Sequence, residues 1–388
     1  MDKNSSIFSF NTLKGFPWPT RAFYVVLTGV LFYICMSPML EVYALQSLNT
    51  SDLGYYIAQQ RNPETRKDPF VLISGASYSG FGVSSLWLAD KLCDWERDKN
   101  QAVVKMPLAG AYPWETYAFL KKYEPETDRI KIVVCDLHPD NIVLSPLLLD
   151  MSQLKYTIPS LGMIGMQDPR TGEPLSISFV LDRMQFFTQK GLVVVAKNFL
   201  YPKVRQDLLE TNEHEALWSD LSYIKEKTLV MQAWNSRTPE EIEAYREQKI
   251  SAQSDPILIQ CVWDLVQYCQ ERGVFLVLHR TPFIADYNLY PHGYLDPTDP
   301  TSIVSECDRT FFQLQEQLKK TPGVLALDCP SFHSIGCDDE ESTLFFDRVH
   351  MTRKGAEIYT NWLCDRMLES PQIRQILDDE QTKRTTHP

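Results

Sequence analysis

The chain has 388 residues, 44% of them hydrophobic and 23% charged, so it can bury one large core or two modest ones and is not wholly disordered. Its 38 Lys and Arg against 50 Asp and Glu give a formal net charge of -12. No basic field is then available to displace counterions from phosphates, which excludes general nucleic-acid affinity. The nine cysteines are odd in number and form no CxxC pair, which argues against a disulfide framework or a zinc site.

The first informative segment is Ala22 to Leu40, 19 residues without a charge. At 1.5 Å per residue it can just cross a hydrocarbon core of about 30 Å. Phe16, Trp18, Phe23 and Tyr24 lie at one end and Tyr43 at the other, as interfacial aromatics do. Lys3, Lys14 and Arg21 precede the segment, whereas Glu41 and Asp52 follow it. The positive-inside rule predicts a cytoplasmic tail over 1–21, a single-pass membrane anchor over 22–46 and an extracytoplasmic remainder. A cleaved signal peptide and a buried core helix are the competing readings.

Residues 47–69 are polar and read as a stalk. Phe70 to Ser74 is a short apolar run ending at Gly75, the pattern of a buried strand. A helical pattern follows Gly80, with Val83, Leu86, Ala89 and Cys93 on one face. Ala102–Met106 and Ile130–Cys135 predict the second and third strands, with a helix over Trp114–Tyr123 between them. The stretch from about 145 to 255 predicts a mostly helical insertion, with Gly191–Val195 its one strand-like run. Asp255 caps a helix that begins with Pro256 and ends at Gly273. Val274–Leu278 and Val324–Leu327 predict the fourth and fifth strands, and Gly355–Met367 a last helix burying Ile358, Tyr359, Trp362 and Leu363. The domain therefore runs from 70 to 368, and 369–388 reads as a polar helix end with a loose tail. Strands alternating with helices predict an α/β fold with a parallel sheet covered on both faces.

Two places could carry chemistry. The first is Ser74-Gly75-Ala76-Ser77-Tyr78-Ser79-Gly80. It follows the first strand, so it lies at the carboxyl edge of the sheet, where open α/β sheets bind ligands. The bland reading is a turn with serine as a helix cap. The second is Phe346-Asp347-Arg348-Val349-His350 ahead of the final helix. A nucleophilic serine needs an imidazole base, and that base needs an acceptor to hold its tautomer. Asp347 is close enough in sequence to serve His350. The bland reading is a surface histidine beside a helix capped by Thr352.

Together the two places resemble the SGNH (GDSL-type) hydrolase family. The resemblance implies a three-layer α/β/α sandwich, Ser77 as nucleophile, and Asp347 and His350 as the rest of a triad. No spacing supports a metal site and no Gly-rich phosphate loop occurs, so no metal and no cofactor are expected. The family's block-one Asp is Ala76 here. Gly110, in Met106-Pro-Leu-Ala-Gly110, stands where the second block offers an oxyanion donor. The third block, Gly-x-Asn-Asp, is replaced by Cys135-Asp-Leu-His-Pro-Asp-Asn141. Asn141 is then the substitute donor, or simply a turn residue. Arg280, at the end of the fourth strand, and Tyr78 are the candidates for substrate contact. The anchor and the Gly-Ala-Ser-Tyr-Ser string narrow the resemblance. They are similar to the D-alanyl-transfer protein of teichoic-acid modification and to alginate O-acetyltransferases, which work beside a membrane-bound O-acyltransferase. The expectation is a membrane-anchored acyltransferase or esterase acting on O-acyl groups of an extracytoplasmic glycan or cell-envelope polymer. The alternative is a degenerate scaffold that binds a glycan or that membrane partner.

Overall fold

Val, Ile and Leu fill five short runs of this chain, and the run lengths suit strands buried on both faces. The computed structural model describes residues 23, 24, 27, 69–93, 102–107, 113–124, 127–143, 173–178, 238, 240, 244, 247, 250–282, 305–330, 335, 341–345 and 350–386. All five runs are strands there: β1 (Val71–Gly75), β2 (Val103–Pro107), β3 (Ile132–Asp136), β4 (Phe275–His279) and β5 (Val324–Ala326). They form one parallel sheet in the order β2-β1-β3-β4-β5. Val71 is in register with Val103 on one side and Ile132 on the other, and Ile132 with Phe275.

The period of two along each strand divides the apolar residues into two cores. Leu72, Val133, Cys135, Leu276 and Leu278 face one side. There they meet α3 (Pro113–Lys122), α4 (Pro256–Glu271) and α5 (Glu306–Lys319). Val71, Ile73, Ile132, Val134 and Val277 face the other. That side is covered by α2 (Ser85–Leu92), α7 (Arg353–Glu369) and α8 (Pro371–Thr386). Two short helices, α1 (Ser77–Gly82) and α6 (Glu341–Leu344), complete the described elements with a 3-10 turn at Pro139–Ile142. Cys93, Cys135, Cys261, Cys269, Cys307 and Cys364 are all buried, as expected of cysteine used as a small hydrophobe.

Helix ends follow their local chemistry. The Asp255 carboxylate accepts from Ile257 N at 2.8 Å, with Pro256 in the first turn of α4. The Thr352 hydroxyl accepts from Gly355 N at 3.3 Å and so caps α7.

Three expectations need correction. The helical stretch after Gly80 is two helices, because Ser84 caps a new one by accepting from Trp87 N. Its buried face is then Ser85, Leu88, Ala89 and Leu92, and Leu86 lies only partly inside. In α7 the buried side chains include Ala356, Tyr359, Leu363 and Met367, whereas Ile358 and Trp362 are half-buried at the flank. The segment read as a helix end with a loose tail is the separate helix α8, whose Ile373 and Leu377, one turn apart, join the second core. Helix α5 has no counterpart in the sequence reading, although Ser305 and Asp308 form its capping box.

Of the predicted anchor, only Phe23, Tyr24 and Leu27 are described; they are helical and exposed. No helix among the described residues is long and apolar enough to cross a membrane. The stalk lies outside the described residues except for Pro69, and so does nearly all of the 145–255 insertion, including Gly191–Val195.

Gly355 offers a test of the packing at α7. A Cβ there would lie 2.3 Å from the Leu344 carbonyl oxygen, which closes α6 against the start of α7. Gly to Ala inside a helix ordinarily stabilises by about 1 kcal/mol. Here Gly355→Ala should instead destabilise, by roughly 1–3 kcal/mol in urea denaturation. A stabilised variant would show that α6 and α7 are not packed this tightly.

Candidate active site

In this strand order the chain leaves β1 toward β2 on one side and returns to β3 on the other. The connections diverge between the carboxyl ends of β1 and β3, which is where a doubly wound sheet opens a crevice. Both strand ends there carry unusual residues. Gly75 ends β1 with φ 122, a conformation that side chains oppose. A Cβ on it would lie 1.5 Å from Asp136 Oδ1, so the carboxyl group ending β3 fills the space over the glycine. Asp136 Oδ1 accepts from Ala76 N at 2.8 Å. This bond fixes the turn that begins α1, whose first residue is Ser77.

Asp136 is 2% exposed. Burial raises its carboxyl pKa to about 7, against the opposing bonds from the Ala76 amide and the Ser79 hydroxyl. Its Oδ2 has no hydrogen-bond partner among the described residues, and His138 Nε2 lies 3.9 Å away. His138 is itself buried. Its Nε2 is also 3.3 Å from the Thr281 hydroxyl, and its ring stands against Tyr78 with 5.0 Å between centroids.

A second histidine reaches the same helix from the far end of the chain. His350 is buried, its ring 5.0 Å from Phe81 and 6.1 Å from Tyr78. It directly precedes Met351, which bridges antiparallel to Phe345 and so draws the start of α7 against the end of α6. Thr352 N strengthens this contact by donating to Leu344 O at 2.8 Å.

A third histidine lies deeper. His279 ends β4, fully enclosed, and burial alone pulls its pKa down to about 3. Its Nδ1 is 2.9 Å from the Tyr359 hydroxyl and its Nε2 3.3 Å from the Ser79 hydroxyl. Tyr359 donates to Arg280 O at 3.0 Å. On the other flank the buried Lys105 ammonium donates to the carbonyls of Gly80 and Val83, tying β2 to the end of α1.

The expected site residues fall into four groups. Tyr78, Arg280 and His350 are described and buried or half-buried at this carboxyl edge. Ser77 is the first residue of α1, and Ala76 occupies the cap position instead. Asp347 and Gly110 lie outside the described residues. Asn141 is buried, and its side-chain oxygen accepts from His138 N at 2.7 Å, closing the Pro139–Ile142 turn. Only its amide nitrogen could serve an oxyanion.

The sequence reading passed over Asp136, His138, Ser79 and His279. The available signal was a pair of polar residues, Asp-x-His and His-Arg, at each of two strand ends. Among the described residues no group of three or more His, Cys, Asp or Glu is placed to hold a metal ion. No family model matches the chain, and no curated protein matches it.

Asp136 and His279 have opposite proton linkages. Asp136 is raised from 3.8 to about 7, so its contribution is present below 3.8 and lost as pH rises toward 7. His279 is lowered from 6.5 to about 3, so its contribution is present above 6.5 and lost as pH falls toward 3. Between about 4 and 6.5 the pair holds one proton both folded and unfolded, on aspartate when folded and on histidine when unfolded. The two slopes cancel there. Urea titrations should show that Asp136→Asn loses stability relative to wild type as pH falls through this window. His279→Gln should lose it as pH rises, each by up to about 1.4 kcal/mol per pH unit. Parallel profiles for wild type and both variants would refute the assignment.

Proposed function

We propose that this chain is a serine-dependent acyl-transfer protein of the SGNH type, with Ser77 as nucleophile at the carboxyl edge of a three-layer α/β/α sandwich. The observation that carries the reading is the meeting of two distant motifs. His350 packs on Tyr78 and Phe81, which lie on α1 one and four residues after Ser77. In the reaction, His350 takes the Ser77 proton while Asp347 holds its ring. The serine oxygen bonds to the acyl carbon, and the proton passes to the leaving group as the old acyl bond breaks. The amides of Ser77 and Gly110, with Asn141, stabilise the oxyanion. An acceptor hydroxyl then takes the acyl group from the serine, its proton going back through the histidine. With water as acceptor the protein is an esterase.

The uncharged run of 22–40, followed by acidic residues, supports a single-pass anchor with the domain outside the cytoplasm. The resemblance supports a glycan or cell-envelope polymer as acceptor and a membrane-bound O-acyltransferase as partner. Tyr78 and Arg280 would contact the substrate.

A second assignment of the base has its own support. The His138 ring is nearer Tyr78 than the His350 ring is, 5.0 against 6.1 Å, and its Nε2 is 3.9 Å from the Asp136 carboxylate. An Asp136–His138 pair could serve Ser77 in place of Asp347 and His350.

A serine-reactive fluorophosphonate probe on the detergent-solubilised chain separates these accounts. Labelling should vanish in Ser77→Ala. It should fall by about a hundredfold or more in the variant that removes the base, His350→Ala or His138→Ala, and much less in the other. A folded wild-type protein that never labels would favour a glycan- or partner-binding scaffold.

A further inference from the structure

Helix α1 has six residues and begins with the proposed nucleophile, Ser77. A helix this short does not hold itself, because isolated helices below about 12–15 residues are marginal in water. Its ends must be held from outside. At the start, Ala76 in the cap position has no side chain to bond the turn, and the Asp136 carboxyl group takes the Ala76 amide instead. At the far end the helix has no basic residue of its own in the last turn. There the carbonyls of Gly80 and Val83 accept from the ammonium of Lys105. Just beyond, the Thr360 hydroxyl on α7 accepts from Ser84 N at 2.9 Å.

Lys105 is an unusual occupant of its position. It lies on β2 in register with Ile73 of β1, two residues before the strand ends. It is 2% exposed, and it shares a strand face with Val103, which packs into the second core. An aliphatic side chain there would avoid the desolvation that a buried ammonium carries. The two carbonyls offset it, because the free C=O groups that end a helix carry partial negative charge. β2 stands at one end of the strand order, and an inward charge on an edge strand can serve simply to block edge-to-edge pairing. That role needs no particular partner, whereas this ammonium is directed at the helix that carries Ser77.

We propose that Lys105 is a positioning residue for acyl transfer, holding the far end of α1 so that the helix keeps Ser77 in one place. The role rests on the reading of Ser77 as nucleophile; the clamp itself does not. Asp136 and Lys105 grip the two ends of one short helix from β3 and β2, the strands on either side of β1. Without the ammonium, the Gly80 and Val83 carbonyls lose that donor and α1 can tilt about its Asp136 anchor. A displacement of about 1 Å at a reacting group can cost about a hundredfold in rate.

The test is the rate of fluorophosphonate labelling of the full-length, detergent-solubilised chain, resolved into a limiting rate and a half-saturating probe concentration. Lys105→Met keeps the bulk of the stem and removes the charge and the donors. The folded variant should label about 10–100-fold more slowly at saturation, with the half-saturating concentration little changed. In Lys105→Ala, added propylammonium should restore part of the rate, and tetramethylammonium, a cation without N–H donors, should not. A lysine that only blocks edge pairing would leave labelling at the wild-type rate. Folded Lys105→Met labelling at that rate overturns the proposal, and so does Lys105→Ala that propylammonium leaves unchanged. If Lys105→Met does not fold, Lys105→Gln, which keeps a donor without the charge, is read in its place; failure of both to fold would make the lysine purely structural and overturn the proposal too. A wild-type protein that never labels overturns the reading of Ser77 and the positioning role with it. Amide exchange in α1 then decides the clamp separately, because it should be faster by about tenfold or more in Lys105→Met if Lys105 holds the helix.

Discussion

A carboxyl group sits where Gly75 would otherwise carry a side chain, and the geometry of the whole carboxyl edge depends on that substitution of one group for another. The parallel register of β1 and β3 sets Ser74 beside Cys135, so the next residues, Gly75 and Asp136, end their strands side by side. The glycine lets the backbone turn at φ 122, and the aspartate then caps the turn through the Ala76 amide. Neither residue works alone. A side chain at 75 would expel the carboxyl group, and without the carboxyl group the Ala76 amide would lose its buried acceptor. The position of Ser77 is thus inherited from two strands of the sheet and not from a flexible loop.

The same edge concentrates polar groups that a core of this kind normally excludes. Ser79, Asp136, His138, His279, Arg280, Thr281 and His350 are each no more than 5% exposed. Buried charge costs several kcal/mol per ion unless it is paired. The shifts of Asp136 and His279 show how the cost is avoided, because both move toward their neutral forms. Retaining such a cluster when aliphatic residues would pack at no electrostatic cost is a mark of a functional site. The hydrophobic cores on either side of the sheet supply the rigidity that lets these groups be held apart from water.

The fold was largely legible because its signals are local. Each strand announces itself as a run of β-branched and aliphatic residues, and Asp255, Pro256 and Gly273 mark the ends of α4. The misreadings have equally local causes. Val83 looked like part of a helical face, but the Ser84 cap interrupts the helix at that point. Helix α8 is so polar that Ile373, Ile376 and Leu377 were lost among charges, although their spacing is one face of a helix. The site was less legible. A serine after the first strand and a histidine before the last helix are visible in one dimension. The Asp136 and His279 contacts join residues 60 and 200 positions from their partners, and nothing in the sequence pairs them. Parallel register brings them together, and register is a property of the assembled sheet.

Helix α8 also fixes where the described domain begins and ends. Arg384, near the end of that helix, stands over the ring of Phe70, the residue that leads into β1, at 5.4 Å. Entry and exit therefore share the amino edge of the sheet, one strand length, roughly 16 Å, from the carboxyl edge where the polar groups gather. A domain tethered through its entry point would carry its crevice like a lamp on a post, directed away from the surface that holds it. Anything reaching that crevice would have to arrive from the open side.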